Sequence, residues 1–394
     1  MNVPVLMYHS VSDNRRWLWG HLSCPVSVIE DHVRTLASSG FVAISLQELY
    51  DHVKHGAALP PKPVALTFDD GYLDNWVYAF PILKRYGFKG TVFVNPDFVD
   101  PTGSLRPNLD DVAAGRLAAS SLKSTGFLSW AEMSVMEACG VMDIQSHAMT
   151  HTWYFSDDRI VDFHHPGDPY PWLAWNARPE RKYLWLNEDQ SAFVPFGVPI
   201  YAYDKALSTR RCFPDPSLAD FLVEQVASRG GVAIFGQEGW QDTLLKLSSQ
   251  YQSEHQLDRH WESEEEYQAR VRYELSVSKE TIEANLRKRV NFLCWPGGGY
   301  NDTTERIAEG VGYLSMTLSS KDPRRSRQNP GRIARWGAPV LQRGTKTLYR
   351  SGRYLVSMLR CKQGSRLHCF TCKLLSGRDR LLFRIRLANV NLHE

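Results

Sequence analysis

The segment Val64–Tyr72, VALTFDDGY, decides how the rest of the chain is read. Val64, Ala65, Leu66 and Phe68 form an apolar run of the length of a buried strand. The run stops at two adjacent carboxylates, Asp69 and Asp70, followed by Gly71. Buried acids need charge partners or donors, and successive strand side chains point to opposite faces. Two acids in a row at a strand's end therefore suit two roles, one as a metal ligand and one as a base. The plainer alternative is an acidic strand-to-turn pair beside a glycine.

On both sides of this segment, short apolar runs alternate with helix-patterned stretches, the mark of an α/β chain with parallel strands. Strands are expected at Val3–Tyr8, Phe41–Ile44, Val64–Phe68, Thr91–Val94, Val141–Gln145, Asn291–Trp295 and Tyr313–Leu318. Helices are expected at Val28–Ser38, with Ser27 and Glu30 spaced as a capping box, and at Leu46–Val53, opened by Ser45. Others are Asn75–Tyr86, stopped by Gly87, a helix capped by Ser129 running to Ala138, Lys279–Lys288 and Thr303–Glu309. The pattern predicts a distorted (β/α)7-type barrel, in which chemistry collects at the C-terminal ends of the strands.

From Thr152 to Tyr273 the rhythm breaks. The first half of this stretch is rich in aromatics and His (Trp153, Trp172, Trp175, Trp185, His164, His165) and the second half is helical and charged. The expected organisation is a barrel over 1–151, an insertion over 152–273, the second part of the barrel over 274–340 and a basic C-terminal tail over 341–394. Exposed aromatics of the insertion would stack on sugar rings, while buried ones would form its own core. His164 and His165 are expected on a surface loop.

The 394 residues, 43% hydrophobic and 23% charged, are enough for a large core. The formal net charge of +3 conceals an asymmetry: Lys321–Glu394 carries 18 Lys and Arg against 3 Asp and Glu. A basic end on an acidic body suggests an anionic partner. In the tail, Tyr349, Leu355, Val356 and Leu359 are spaced to share one helical face, and Leu381–Leu387 alternates like a strand or a short amphipathic piece. Peripheral contact of this basic tail with an anionic membrane surface is expected. No nucleic-acid recognition motif occurs, and no such partner is expected. No apolar run reaches the ~18 residues of a membrane span, and MNVPVLMYHS does not read as a signal peptide. Seven cysteines, an odd number in mostly apolar surroundings, are expected as reduced thiols. Cys361, His368, Cys369 and Cys372 lack the spacing of a zinc knuckle. Together these features point to a cytoplasmic protein, at the inner face of the membrane.

Three further segments fall at expected strand ends. Ser146–His151, SHAMTH, places His147 and His151 four residues apart, a spacing with which two imidazoles close on one metal ion. One carboxylate added to them makes three protein ligands and leaves positions open, as a catalytic metal site requires. Cys294–Tyr300, CWPGGGY, opens a strand into three glycines whose exposed N–H groups can hold an oxyanion, or which simply form a turn before a helix capped by Asn301 or Asp302. His9, after the first strand, is either a general acid or a hydrogen-bonded structural residue.

With TFDDGY at 67–72, SHAMTH at 146–151 and WPGGGY at 295–300, the chain resembles the polysaccharide deacetylase family, carbohydrate esterase family 4 with the NodB homology domain. VPVLMYHSVSD and the segment KPVALTFDDGYLDNWVYAFPILKRYGFKGTVFV resemble the circularly permuted branch that de-N-acetylates poly-N-acetylglucosamine. The resemblance covers about residues 2–151 and 270–335. It implies that Asp70, His147 and His151 bind a divalent metal, most often Zn2+, with Co2+, Ni2+ or Mn2+ as alternatives. It further implies that Asp69 is the base that activates the attacking water, that His9 is the general acid, and that Pro296 and Gly297, with Tyr300, form the oxyanion and substrate loop. The expected function is hydrolytic removal of an N-acetyl or formyl group from an amino sugar in a polysaccharide, lipid-linked glycan or precursor. The alternatives are an inactive glycan-binding protein that keeps the barrel and a hydrolase of small amides. Two positions depart from the family pattern. Cys294 stands where many members carry an arginine, so a partner for Asp69 would have to come from elsewhere, Arg332 or Arg335, or be absent. No Leu-x-His motif follows, and the later histidines are His368 and His393.

Overall fold

The computed structural model describes residues 3–14, 22–326, 329–343 and 346–390. Backbone contacts divide the chain into two units, one of Met1–His147, Lys279–Cys294 and Tyr313–Glu394, the other of Ala148–Ser278 and Trp295–Gly312.

The first unit is built on a parallel sheet of nine strands: β1 (Val5–Tyr8), β2 (Val42–Ala43), β3 (Pro63–Phe68), β4 (Gly90–Val94), β5 (Met142–Ser146), β6 (Phe292–Leu293), β7 (Ser315–Leu318), β8 (Arg332–Ala334) and β9 (Trp336–Gly337). Their order is β8-β7-β6-β5-β4-β3-β1-β9, with β2 paired to the start of β3. β8 and β9 stand at opposite ends of that order, yet only Arg335 separates them in the chain. Ala334 pairs with Leu318 and Trp336 with Leu6. The segment Arg332–Gly337 thus joins the last strand to the first and nearly closes an eight-strand barrel, as the α/β reading anticipated. Its sequence, RIARWG, has no apolar run, so periodicity does not mark it as strand. Val5, Ile44, Ala65, Phe93, Phe292 and Ile333, all buried, pack in one core cluster.

Local sequence signals hold at several helix starts. Ser45 with Glu48 and Ser129 with Glu132 form complete capping boxes. The Ser27–Glu30 box does not form: the helix begins at Val26, directly after Pro25, and has no side-chain cap. The expected helix over Asn75–Tyr86 opens as a wide π turn, Asn75–Ala79, before the α-helical Phe80–Arg85. Pro81 has no N–H to give to Val77, which accounts for the altered register. Lys279–Lys288 is the end of a much longer helix, Glu264–Leu286.

The tail folds as an antiparallel pair of strands, Val340–Arg343 with Lys346–Tyr349, followed by two helices, Gly352–Lys362 and Arg366–Val390, so Tyr349 ends a strand and does not share a helical face with the leucines after it. Leu355, Val356 and Leu359 are buried on the first helix, as their spacing predicts. Gly352 is required there, because a Cβ would lie 2.5 Å from the Asp31 carbonyl oxygen. Leu381–Leu387 is neither a strand nor a separate piece but part of the second helix, where Arg and Leu propagate readily. Cys361 and Cys369 are joined in a disulfide, which corrects the expectation of reduced thiols throughout. The turn at Gly364 folds the second helix back on the first and brings the two sulfurs together. No described helix is long and apolar enough to cross a membrane.

In the second unit, Trp153–Phe163 pairs antiparallel with Pro199–Lys205, and Cys212–Pro214 with Arg259–Trp261. Phe163, Leu218, Leu222, Val226, Ile234 and Leu244 form its core.

Candidate active site

Five polar side chains follow the C-terminal ends of barrel strands: His9 after β1, Asp69 and Asp70 after β3, His147 after β5 and Arg335 after β8, with the Cys294 thiol after β6. All six belong to the first unit. A parallel strand delivers its last residue to the same rim as its neighbours, so positions far apart in sequence meet there.

Asp69, 3% exposed, sits at the centre. Arg335 donates to both of its oxygens, from Nη1 to Oδ1 at 2.6 Å and from Nη2 to Oδ2 at 2.8 Å. The same guanidinium donates to Thr67 Oγ1 at 3.2 Å and contacts Cys294 Sγ at 3.0 Å. Of the two arginines considered from sequence, Arg335 is therefore the partner of Asp69. Cys294, where an arginine was anticipated, points its thiol to Asp69 Oδ2 at 3.5 Å. Burial alone would raise the Asp69 carboxyl, but the charge and hydrogen bonds of Arg335 outweigh it and hold the pKa below the ordinary carboxylate value. His9 Nε2 lies 3.8 Å from Asp69 Oδ2.

His147 is also buried. Its Nδ1 is 2.8 Å from the Cys294 carbonyl oxygen, which can only accept, so Nδ1 carries a proton. Nε2 faces Asp70 Oδ1 at 3.2 Å. Burial disfavours the charged ring, yet Cys294 and Asp70 lift its pKa well above the usual value. Strand-end neighbours hold the ring in place: His147 N donates to the Val94 carbonyl at 2.8 Å, and Asn95 Nδ2 donates to the His147 carbonyl. Tyr313 donates to Ser146 Oγ at 2.9 Å. Tyr72 is hydrogen-bonded to Asp70, and burial first and then Asp70 push its hydroxyl far above the ordinary phenol. Asp70 itself adopts a left-handed backbone, φ +73°, a conformation costing an L residue about 1–3 kcal/mol and concentrated at functional sites. The ligand-type atoms of Asp69, His147 and Cys294 lie within 4.8 Å of one another.

Sequence spacing did not single out Asn95, Tyr72 or Tyr313. Asn95 carried a usable signal, since it directly follows a strand whose neighbour ends in a motif, and Tyr72 closes the TFDDGY segment itself.

The other predicted residues belong to the second unit. Ala148 and His151, at φ +58° and +42°, give the loop after His147 two left-handed residues. Pro296–Gly298 is a single 3₁₀ turn with Gly297 at φ +54°. Gly298 N donates to the Trp295 carbonyl at 2.9 Å and Gly299 N to that of Pro296 at 3.0 Å, so the Gly297 N–H is not used by these two bonds. Lys205 packs so closely that a Cβ on Gly299 would lie 2.5 Å from its own Cβ. Tyr300 stacks on Trp295 with ring centroids 5.5 Å apart. His164 is not a surface residue: it is 2% exposed, with Nδ1 2.6 Å from Asp168 Oδ2 and Nε2 2.9 Å from the Ser191 carbonyl oxygen.

The profile of the family described as polysaccharide deacetylase matches residues 56–188 and 246–316, just over half of the chain. The chain belongs to the polysaccharide deacetylase family. Among its relatives is the Bacillus subtilis protein named "Putative polysaccharide deacetylase YxkH", 36% identical over 92 residues, which are 23% of this chain and 31% of the relative. Another is the poly-beta-1,6-N-acetyl-D-glucosamine N-deacetylase of Escherichia coli K12, 23% identical over 151 residues, 38% of this chain and 20% of the relative. The matches thus span about a third and a fifth of those relatives' own lengths. A solved de-N-acetylase from Aggregatibacter actinomycetemcomitans shares the fold, with a TM-score of 0.51, 19% identity and coverage of 84% of this chain and 93% of that one.

Proposed function

We propose that this chain is a metal-dependent hydrolase that removes an N-acetyl or formyl group from an amino sugar in a polysaccharide or glycan precursor. The observation that carries the reading is the Asp69 carboxylate, held ionised by a two-pronged arginine at a strand-end rim beside His147 and Asp70. Family membership and the substrate in the E. coli relative's name support the amino-sugar class.

Asp70 and His147, with His151 four residues further along the same loop, would hold the ion, zinc being the first choice. The donor set fits: a protonated Nδ1 leaves the Nε2 lone pair facing a carboxylate oxygen, an arrangement that a cation satisfies. A divalent ion there supplies Lewis-acid polarisation and a water nucleophile at neutral pH. Asp69 takes the proton from the attacking water, and His9 delivers one to the leaving amine. The Gly297 N–H, after Pro296, is a donor for the acyl oxyanion, with Tyr300 lining the same loop. A protein that only bound glycan would have no use for a buried, arginine-clamped carboxylate. The basic C-terminal helix adds peripheral attachment to an anionic membrane surface.

The test is acetate and formate release from a panel of N-acylated sugars and glycans, before chelation, after it, and after zinc return. Release that chelation abolishes and zinc restores is expected, and Asp69→Asn should lose turnover while keeping its metal. No release from any substrate by fully metallated protein would overturn the proposal in favour of the glycan-binding alternative.

A further inference from the structure

The strand Val340–Arg343 and the last helix, Arg366–Val390, both lie in the first unit and wall an open cleft of about 420 Å3. Leu341, Gln342 and Arg343 line it from the strand, and Arg380, Phe383 and Arg384 from the helix. Local geometry sets both sides. Leu341 and Arg343, two apart on a strand, share one face, and Arg380 and Arg384, four apart on a helix, are neighbours. Three guanidinium groups therefore border one space. All three residues are exposed, so a ligand can reach them.

No carboxylate offsets these cations. The wall holds no Asp or Glu, and among the described residues no hydrogen bond or ion pair joins the side chain of Arg343, Arg380 or Arg384 to an acid. The acid next to Arg380 in the chain, Asp379, is buried and faces Arg378 and Arg350. Like charges four apart on a helix destabilise it, and a third cation across the cleft adds to the repulsion. An anion with several acceptor oxygens turns that repulsion into attraction, because each planar guanidinium can fork onto two oxygens. A phosphomonoester carries three terminal oxygens and a charge of about −1.5 to −2 at pH 7. It suits three guanidiniums better than a phosphodiester, which has one charge and two free oxygens.

The surface beside the cleft is apolar. Leu381 and Ile385 follow Arg380 and Arg384 by one residue each, 100° further round the helix, and are 60% and 48% exposed. Inside the cleft, Leu341 and Phe383 are half-buried. A ligand that fits both parts has a phosphate at one end and hydrocarbon at the other.

We propose that this cleft binds the phosphomonoester headgroup of an anionic lipid, with the three guanidiniums on the phosphate and the acyl chains along Leu381 and Ile385. The proposal rests on the membrane attachment read from the basic helix and deepens it. Attachment by diffuse charge depends only on how many cations face the surface, whereas this site selects a headgroup.

The experiment is sedimentation of the full chain with phosphatidylcholine vesicles carrying either phosphatidate or phosphatidylglycerol, a phosphodiester, at matched surface charge. Phosphatidate is expected to bind at least about tenfold more tightly, the effect of one further charge-assisted contact. Arg343→Gln removes one cation, so it should weaken binding to phosphatidylglycerol by no more than about fivefold and lose most of the preference for phosphatidate. Arg343→Lys keeps the charge without the fork, so binding to phosphatidylglycerol should stay as in the parent while the preference still falls. Arg343 is exposed on its strand, and both variants should keep parent urea midpoints and parent hydrolysis of a soluble substrate. Equal binding of the two lipids at matched charge, or a preference kept by both variants, would overturn the site. Glycerol 3-phosphate, the same headgroup without acyl chains, should fail to displace the chain at a concentration equal to that of the accessible phosphatidate. Displacement there would assign the cleft to a soluble phosphate ester and overturn the lipid. Sedimentation with both anionic lipids but no preference refutes only the headgroup site, whereas no sedimentation with either refutes the membrane attachment as well. Neither result depends on whether the chain hydrolyses an N-acyl sugar.

Discussion

Arg335 grips both oxygens of Asp69, and it does so from the single-residue break between β8 and β9 that closes the barrel. One side chain therefore serves the fold and the chemistry together. Removing one partner of a buried pair leaves the other charge without compensation, at a cost of about 3–5 kcal/mol. Arg335→Met should lose stability of that order in urea unfolding, and deacylation should fall with it. Arg335→Lys keeps the charge but not the fork, so its stability should lie between the two while turnover still drops. Parent-like urea midpoints and turnover in both variants would remove Asp69–Arg335 from the mechanism.

Most of the barrel was legible because its strands are apolar runs bounded by turn residues, and the three motifs sit where those runs stop. What could not be read was set by tertiary pairing. Arg332–Gly337 becomes strand only because β7 and β1 each lend it an edge, so the arginine that completes the site lies in a segment without periodicity. Pro25 moved a helix start ahead of a plausible Ser27 cap, and Pro81 was missed as the cause of a π turn. His164 looked like a loop residue because its burial depends on Asp168 and Ser191 folding over it.

The Cys361–Cys369 pair predicts a thiol count. Protein denatured without reductant should offer five of its seven cysteines to a thiol reagent, and all seven after reduction. The same count on cells quenched with a thiol blocker bears on location, since disulfides persist in oxidising compartments. Seven reactive thiols under both conditions would return the chain to the reduced state expected from its sequence.

Asp74 predicts a pH dependence. It is fully buried, accepts from Ser10 Oγ at 2.5 Å and from Asn75 Nδ2 at 2.8 Å, and burial, outweighing these bonds, raises its pKa to about 7. Since the folded pKa lies above the unfolded value of about 4, its contribution is fully present below about pH 4 and is lost as pH rises toward 7. The slope is at most about 1.4 kcal/mol per pH unit. Asp74→Asn cannot ionise, so its stability relative to the parent should rise across that window. A constant difference between the two proteins from pH 4 to 7 would show that Asp74 titrates normally.

The helix Arg366–Val390 predicts membrane attachment. At 100° per residue, Leu367, Phe370, Leu374, Leu381 and Ile385 fall within an arc of about 60°, and all five are exposed. Arg366, Lys373, Arg380 and Arg384, also exposed, run along one side of that arc. The acid of the helix, Asp379, is buried instead and faces Arg350 and Arg378. An outward apolar stripe flanked by cations, with the carboxylate turned inward, fits an anionic lipid surface. Each cation near such a surface contributes about 1 kcal/mol, so four favour anionic over neutral vesicles about a thousandfold at low salt. The full chain should sediment with vesicles rich in phosphatidylserine, stay in solution with phosphatidylcholine, and be released by salt as screening shortens the attraction. Phe370→Glu with Leu374→Glu should abolish sedimentation while leaving unfolding within about 0.5 kcal/mol per substitution, because both side chains are exposed. Equal sedimentation with the two lipids, or an unaffected double variant, would mean that the stripe serves another surface.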